Sequence, residues 1–473
     1  MKKAVITGAV VAVAGAGAAA PYVTGMQAEQ AFEANLAALS QNPQVEATLL
    51  GYDRGWLGAE ARTRVVFTPL DERLSVQLKH DIRHGPRPGA MGLAAVTSTP
   101  VVPAELQDTV DHYYGDQAPF TAELTIGLDG AQDITLSSPA FEGAPKGDPT
   151  AEIQWGGLSG HIQLEPGAEA GTAEFRLPEL EVHNHEGNLM MGAVQAESRF
   201  RRKAEALWLG ETQIKAERME LAVADPDTER DHRFTFRDLR GHHSVRDAEK
   251  GAFLTMASRW RVASAGLDGQ AVSDAELAVE ARHIHTPTLQ TFNRRIRALQ
   301  KRGLSQPALS RRTNQIMREL LPRFLENSPE LAVTRLAFRA PQGDFQGSAE
   351  ARYSGGAGNA RAALADPAQL LQHTTAGAEV SVAQSLLTRL LEQASRAQVA
   401  EKLGTGASAQ EIDRTAQRMV QQRLGLLEAL GFLETDNGRY TTEARWEKGR
   451  ISVNGQPLNG LAQSLPGGGP ALP

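Results

Sequence analysis

Phe120-Thr121-Ala122-Glu123-Leu124-Thr125-Ile126-Gly127-Leu128-Asp129-Gly130-Ala131-Gln132-Asp133-Ile134-Thr135-Leu136 reads as two strands joined by a turn. Phe120, Ala122, Leu124, Ile126 and Leu128 recur at every second position, which gives a strand one apolar and one polar face. Asp129-Gly130 is a strong hairpin dipeptide, because both residues tolerate the positive φ of a tight turn. Ile134 and Leu136 follow as the partner strand.

The same grammar extends in both directions. Upstream, Val45, Ala47 and Leu49 alternate, Tyr52-Asp53-Arg54-Gly55-Trp56 makes a turn, and a second strand returns from Ala59 to Phe67. Leu74, Val76, Leu78 and Ile82 alternate as far as His84-Gly85-Pro86-Arg87-Pro88, which must end the strand. Downstream, Ile153 to Gly160 forms a strand-turn unit, and residues 176–185, 195–202, 214–223, 233–239, 253–261 and 276–284 read as successive strands. Many strands and few helices imply a long antiparallel, meandering sheet.

Helical spacing takes over after residue 286. Leu289, Phe292, Ile296 and Leu299 form one stripe, and Leu309, Ile316, Leu320, Leu321, Phe324 and Leu325 a second. Residues 331–340 and 343–354 return to β alternation, while 366–373, 383–399 and 408–430 read as helices, the last stopped by Gly431. Residues 440–446 and 450–453 make a closing strand pair. The fold class expected is α+β, mostly β: an N-terminal signal or transmembrane helix, a long antiparallel sheet, a helical insertion and a C-terminal strand pair. The expected divisions are 1–25 leader, 26–42 stalk helix, 43–286 β-rich region, 287–465 mixed region packing on the sheet, and 466–473 disordered tail.

The leader sets the compartment. Met1-Lys2-Lys3 is basic, residues 4–20 are uncharged, and Ala18-Ala19-Ala20 has the small-residue pattern of a cleavage site. Pro21 after it disfavours cleavage there, and the apolar run just reaches the length of a spanning helix, so the residues leave cleavage and retention both open. Either way the body is expected in the bacterial periplasm, with the positive charge on the cytoplasmic side of the inner membrane. The chain has 473 residues, 41% hydrophobic and 22% charged, which is ordinary for a folded protein. A net charge of −7 argues against nucleic acid as a partner. The absence of cysteine removes disulfides and thiolate chemistry together.

Little in the chain reads as chemistry. His183-x-His185, His242-His243 and His283-x-His285 are short clusters, and two have the spacing that places both rings on one strand face. No defined ligand set accompanies them, so no metal, cofactor or catalytic residue is assigned. Gly-x-Ser-x-Gly is absent, and Gly404-Thr405-Gly406 lacks the ending that would hold phosphates. The basic run at Arg294, Arg295, Arg297, Lys301, Arg302, Arg311 and Arg312 reads first as a solvated helix face, with contact to anionic lipid headgroups as the alternative.

Several short units together resemble the YdgA-like family of Gram-negative bacterial proteins, a domain of unknown function. They are the leader ending in Pro21-Tyr22 and Gly25, Tyr52-x-Arg54-Gly55-Trp56, His84-Gly85-Pro86-x-Pro88, Trp155-x-Gly157-Leu158-x-Gly160, and Val453-Asn454-Gly455. The resemblance implies a retained inner-membrane anchor and a periplasm-facing body that associates with itself; it carries no catalytic residues. Physically these residues read as architecture. Gly55, Gly85, Gly157, Gly160 and Gly455 suit turns at positive φ, Pro86 and Pro88 end pairing, and Trp56 and Trp155 offer packing area. His84 is the motif residue able to titrate near neutral pH. The function expected is a non-enzymatic, self-associating envelope protein. The alternative is a protein that binds phospholipid or another hydrophobic ligand in a sheet groove.

Overall fold

The computed structural model describes residues 45–458, apart from 56–57, 68–73, 85–93, 128, 145–149, 185–186, 205–206, 225–230, 301–303, 305 and 404–407. The leader, the expected stalk helix and the tail lie outside the described residues. The chain is mostly β, with antiparallel pairing and several helices, and forms two compact units. The first holds the described residues up to Val245 together with Leu289–Glu319; the second holds Arg246–Thr288 and those from Leu320 onward.

The first unit is built on a meander. Strands β1 (Val45–Arg54), β2 (Gly58–Phe67), β3 (Leu74–His84), β4 (Ala94–Val101), β5 (Thr121–Ile126) and β6 (Gln132–Ser138) pair each with the next. β6 continues into the short β7 (Phe141–Gly143), and β8 (Glu152–Trp155) continues into β9 (Leu158–Leu164). Beyond them come β10 (Ala170–Asn184), β11 (Gly187–Ala204), β12 (Leu207–Ala224) and β13 (Asp231–Ala248). Helix α1 (Ala104–Tyr114), between β4 and β5, was not foreseen from the sequence. The Asp129-Gly130 hairpin is present, with Ile126 paired to Gln132, Gly130 at φ 84° and Asp129 accepting from the Ala131 amide at 3.0 Å.

One core organises this unit. Alternation places Ala61, Val65, Leu78, Ile82, Val96, Leu124, Ile126, Ile134, Leu136 and Ile162 on the inner face, all buried, with Leu49 and Phe175 packed against them. Residues from the first and the later strands share the cluster, so the sheet curls around it.

The second unit is also built on a ladder. β14 (Phe253–Leu267), β15 (Gln270–His285), β16 (Glu330–Ala340), β17 (Gly343–Tyr353), β18 (Thr374–Ala383) and β20 (Arg439–Glu447) pair in that order. β19 (Glu434–Asp436) and β21 (Arg450–Val453) also pair with β20, and β22 (Gln456–Pro457) pairs with β21. One face is charged: Glu276 lies 3.0–3.5 Å from Arg259, Arg261 and Arg335. The other carries Phe338, Phe345, Val382 and Tyr440, clustered with residues of the two helices that follow β18.

The helices fall close to their expected spans. α2 (Thr286–Gln300) and α3 (Gln306–Leu325) are joined by Arg295 and Glu319 at 2.7 Å. α4 (Gly356–Ala365) was missed, while α5 (Pro367–Gln372), α6 (Gln384–Leu403) and α7 (Ala409–Ala429) follow the expectation. α7 starts on a capping box, with Ser408 and Glu411 satisfying each other's backbone amides. Among the described residues, no helix is long and apolar enough to cross a membrane.

Candidate functional site: an apolar sheet face beyond a crease

The long strands of the first unit are interrupted along one transverse line. The flanking registers align Pro139, Gly157, Pro178, Ala193, Glu217 and Asp238, and the ladder pairs skip this line on every strand. Local chemistry explains the gap. Pro139 and Pro178 have no N–H to donate to a ladder. Gly157 sits at φ 84°, and a Cβ there would stand 2.8 Å from the Ser138 carbonyl. Asp238 adopts φ 51° inside β13.

The spacing of apolar residues changes at this crease. Leu158 and Trp155, Leu177 and Leu180, Val194 and Met191, Ala216 and Met219, and Leu239 and Phe236 are each three residues apart. In an unbroken strand an odd spacing would put the two members on opposite faces, but the Trp155 indole reaches Ser138, which is in step with the buried Ile134 and Leu136, so here the break in the ladder keeps Trp155 on the inner face. On one side of the crease the apolar residues face the curled core, as Leu136 and Phe175 do. On the other side a row of cross-strand partners forms Phe141, Trp155, Leu180, Met191, Met219 and Phe236. A second row adds Ile153, Val182, Leu189, Leu221 and Phe234.

Helix α1 covers one end of this surface. Tyr113 and Tyr114 of α1 pack on Phe141 with ring centroids at 4.8 and 5.0 Å, and the Tyr113 hydroxyl donates to the Ala144 carbonyl. Burial raises the pKa of both tyrosines, so they stay neutral there. At the other end Leu221, Val223, Phe234 and Phe236 are 40, 43, 38 and 37% exposed. Scattered exposed apolar residues need no explanation, but a contiguous patch marks a binding surface. Of the strands read from the sequence, the one in β11 stops short at the crease, while those over 176–185 and 214–223 run through it. β11, expected over 195–202, in fact runs Gly187–Ala204.

The motif residues serve the frame. Tyr52 and Arg54 lie on β1, and the Gly55 amide donates to the Gly58 carbonyl at 2.8 Å, closing the turn into β2. Gly55 and Gly160 are not at positive φ, contrary to expectation. Gly160 is inside β9, where a Cβ would meet the Phe175 ring at 2.9 Å, so close packing requires it. Gly157 and Gly455 do have positive φ, and Asn454 at φ 47° with Gly455 at 76° makes the tight turn between β21 and β22. Asn454 accepts from the Glu443 amide and donates to the Gly431 carbonyl. The Trp155 indole donates to Ser138 across the crease at 3.2 Å. His84 ends β3, paired with Ala94. Trp56, Gly85 and Pro86 lie outside the described residues.

Among the described residues, the polar clusters form no open reaction centre, and His185 lies outside them. Thr63, His80 and Ser98, on β2, β3 and β4, are joined through both ring nitrogens of His80 at 2.8 Å. A hydroxyl beside an imidazole is a nucleophile pair in form. All three are 0–1% exposed inside the core, however, so no substrate reaches them. Sequence reasoning overlooked His80, though it falls in step with Leu78 and Ile82 on the inward face. His183 lies 3.4 Å from Glu181, and His242 and His243, being adjacent, point to opposite faces. His283 stacks on Phe253 at 3.8 Å and contacts the Asn327 carbonyl and Glu249, while His285 contacts Thr288. Among the described residues, no group of three His, Cys, Asp or Glu side chains could hold a metal.

The arrangement defines a mostly β, antiparallel protein that presents an open apolar sheet face. A family model described as a bacterial protein of unknown function (DUF945) matches residues 1–460, and the chain belongs to that family. No curated protein and no solved structure matches it.

Proposed function

We propose that this chain is a non-enzymatic, YdgA-like protein of the bacterial inner membrane, held by a retained leader, whose periplasmic body binds phospholipid acyl chains. The observation that carries this reading is the open sheet face of Leu189, Met191, Met219, Leu221, Phe234 and Phe236. Thioether and aromatic side chains side by side can adapt to a flexible hydrocarbon chain. At ~4.8 Å per strand and ~3.3 Å per residue, the patch from Leu189 to Phe234 on three strands covers about 190 Å². That is well under the ~800 Å² per partner of a stable dimer and fits one or two acyl chains better. The uncharged run over residues 4–20 behind the basic Lys2 and Lys3 supports a membrane setting.

The test is native mass spectrometry on the full chain held in an amphipathic polymer. Phospholipid adducts on a monomer are expected, and they should be lost in Leu221→Asp and Phe236→Asp. Both positions are exposed enough to accept a charge without unfolding. A ligand-free oligomer would favour self-association instead, and adducts unchanged in both variants would move the site elsewhere.

A further inference from the structure

Helices α2 and α3 concentrate positive charge in a chain that is otherwise acidic. Between Leu289 and Glu319 stand eight basic residues and one acidic one, although the whole chain carries −7. This stretch belongs to the first unit. Its carboxylate is already engaged: Glu319 lies 2.7 Å from Arg295 and accepts from Gln315 at 3.1 Å. Arg294 and Arg318 are the sequence neighbours of that pair. Arg297 stands about one turn from Arg294, and Arg311 about two turns from Arg318. Arg294, Arg311 and Arg318 are exposed, Arg297 is half-buried, and none of the four is ion-paired among the described residues.

A solvated helix face commonly alternates the sign of its charges at i, i+4. Here the sign is uniform. Two apolar side chains stand exposed among the cations, Leu304 at 37% and Met317 at 39%. Unpaired arginines around exposed apolar groups match a surface that is anionic outside and hydrocarbon within, on which such a helix lies flat. The leader supplies an independent argument. Residues 4–20 are mostly alanine, glycine and valine, a marginal anchor by themselves. A marginal anchor becomes stable when a polybasic patch adds a second membrane contact, and the tether makes that contact intramolecular. We infer that α2 and α3 dock on the anionic phospholipid surface of the bilayer that holds the leader. The four arginines meet the phosphates of phosphoglycerol headgroups, and Met317 enters the upper acyl layer. This inference rests on the retained leader proposed above and is independent of acyl binding on the sheet.

The chain has no cysteine, so one reporter can be placed without background. Full-length Met317→Cys, carrying an environment-sensitive dye, is reconstituted in nanodiscs of phosphatidylcholine, or of phosphatidylcholine and phosphatidylglycerol in equal parts. The dye should shift to the blue in the mixed discs only. The shift should vanish as the screening length falls from ~10 Å to ~3 Å between 0.1 and 1 M salt. R294Q/R297Q/R311Q/R318Q in the reporter chain should abolish it, because each basic residue near such a surface strengthens docking about fivefold. Circular dichroism checks that this variant is folded. An equal shift in both discs, or one that salt and the quadruple variant leave in place, overturns charge recognition. Entry into the discs with no shift in either overturns the docking surface and leaves the anchor and acyl binding standing. Failure to enter either disc removes the anchor, and the docking surface falls with it. If heparin added to phosphatidylcholine discs gives the same shift, the surface takes soluble polyanions and the lipid assignment falls.

Discussion

His80 shows what a single residue contributes to this fold. Its ring is sealed between Thr63 and Ser98, and burial lowers its pKa from 6.5 to about 4. The folded state therefore resists a proton that the unfolded chain accepts. As pH falls from about 6.5 to about 4, the unfolded state binds more protons and stability declines. The full loss is about 3 kcal/mol at ~1.4 kcal/mol per pKa unit; above pH 6.5 the group contributes no slope. Chemical denaturation between pH 4 and 7.5 should show this decline, and His80→Gln should flatten it while lowering stability at pH 7. A native protein without such a slope would refute the assignment. The inward position of His80 was legible from its spacing with Leu78 and Ile82, but its partners were not. Hydrogen bonds to Thr63 and Ser98 depend on cross-strand register, which lies beyond one strand's pattern.

At the scale of elements, the crease is the distinguishing device. Strands of 15–18 residues are unusually long, and β10 to β13 reach that length with a break in their alternation midway. Gly157 is its most constrained position. Gly157→Val would impose a branched side chain on φ 84° and drive it into the Ser138 carbonyl, costing about 1–3 kcal/mol. A lower denaturation midpoint should follow; unchanged stability would mean that the backbone relaxes freely there. Existence and type of most elements could be read from residue spacing, as in the hairpin around Asp129-Gly130 and the α7 stripe. The full length of β11 could not, because a window centred on the crease mixes two phases of one period. The open face was hidden for the same reason: Leu180, Met191, Met219 and Phe236 become neighbours only through the register of four strands.

For the whole molecule, the proposed lipid would act as a folding partner. A ligand that binds only the native state stabilises it by mass action, by about 3 kcal/mol at a hundredfold excess over Kd. For units of this size that raises the melting midpoint by several degrees. Adding lysophosphatidylethanolamine to delipidated protein should therefore raise the thermal midpoint, and Leu221→Asp should abolish the rise. No rise in the native chain would argue against a bound acyl chain.

The crease also bears on how such long strands find their partners. A plain amphipathic strand that slips by two residues keeps its faces correct and forms a stable mistake. Here a slip by one residue turns core side chains outward and charges inward on both halves at once. A slip by two carries Pro139, Gly157 or Pro178 away from the line where missing hydrogen bonds are tolerated. The interruption therefore works as an alignment mark, against which each new strand of the meander is checked as it is laid down.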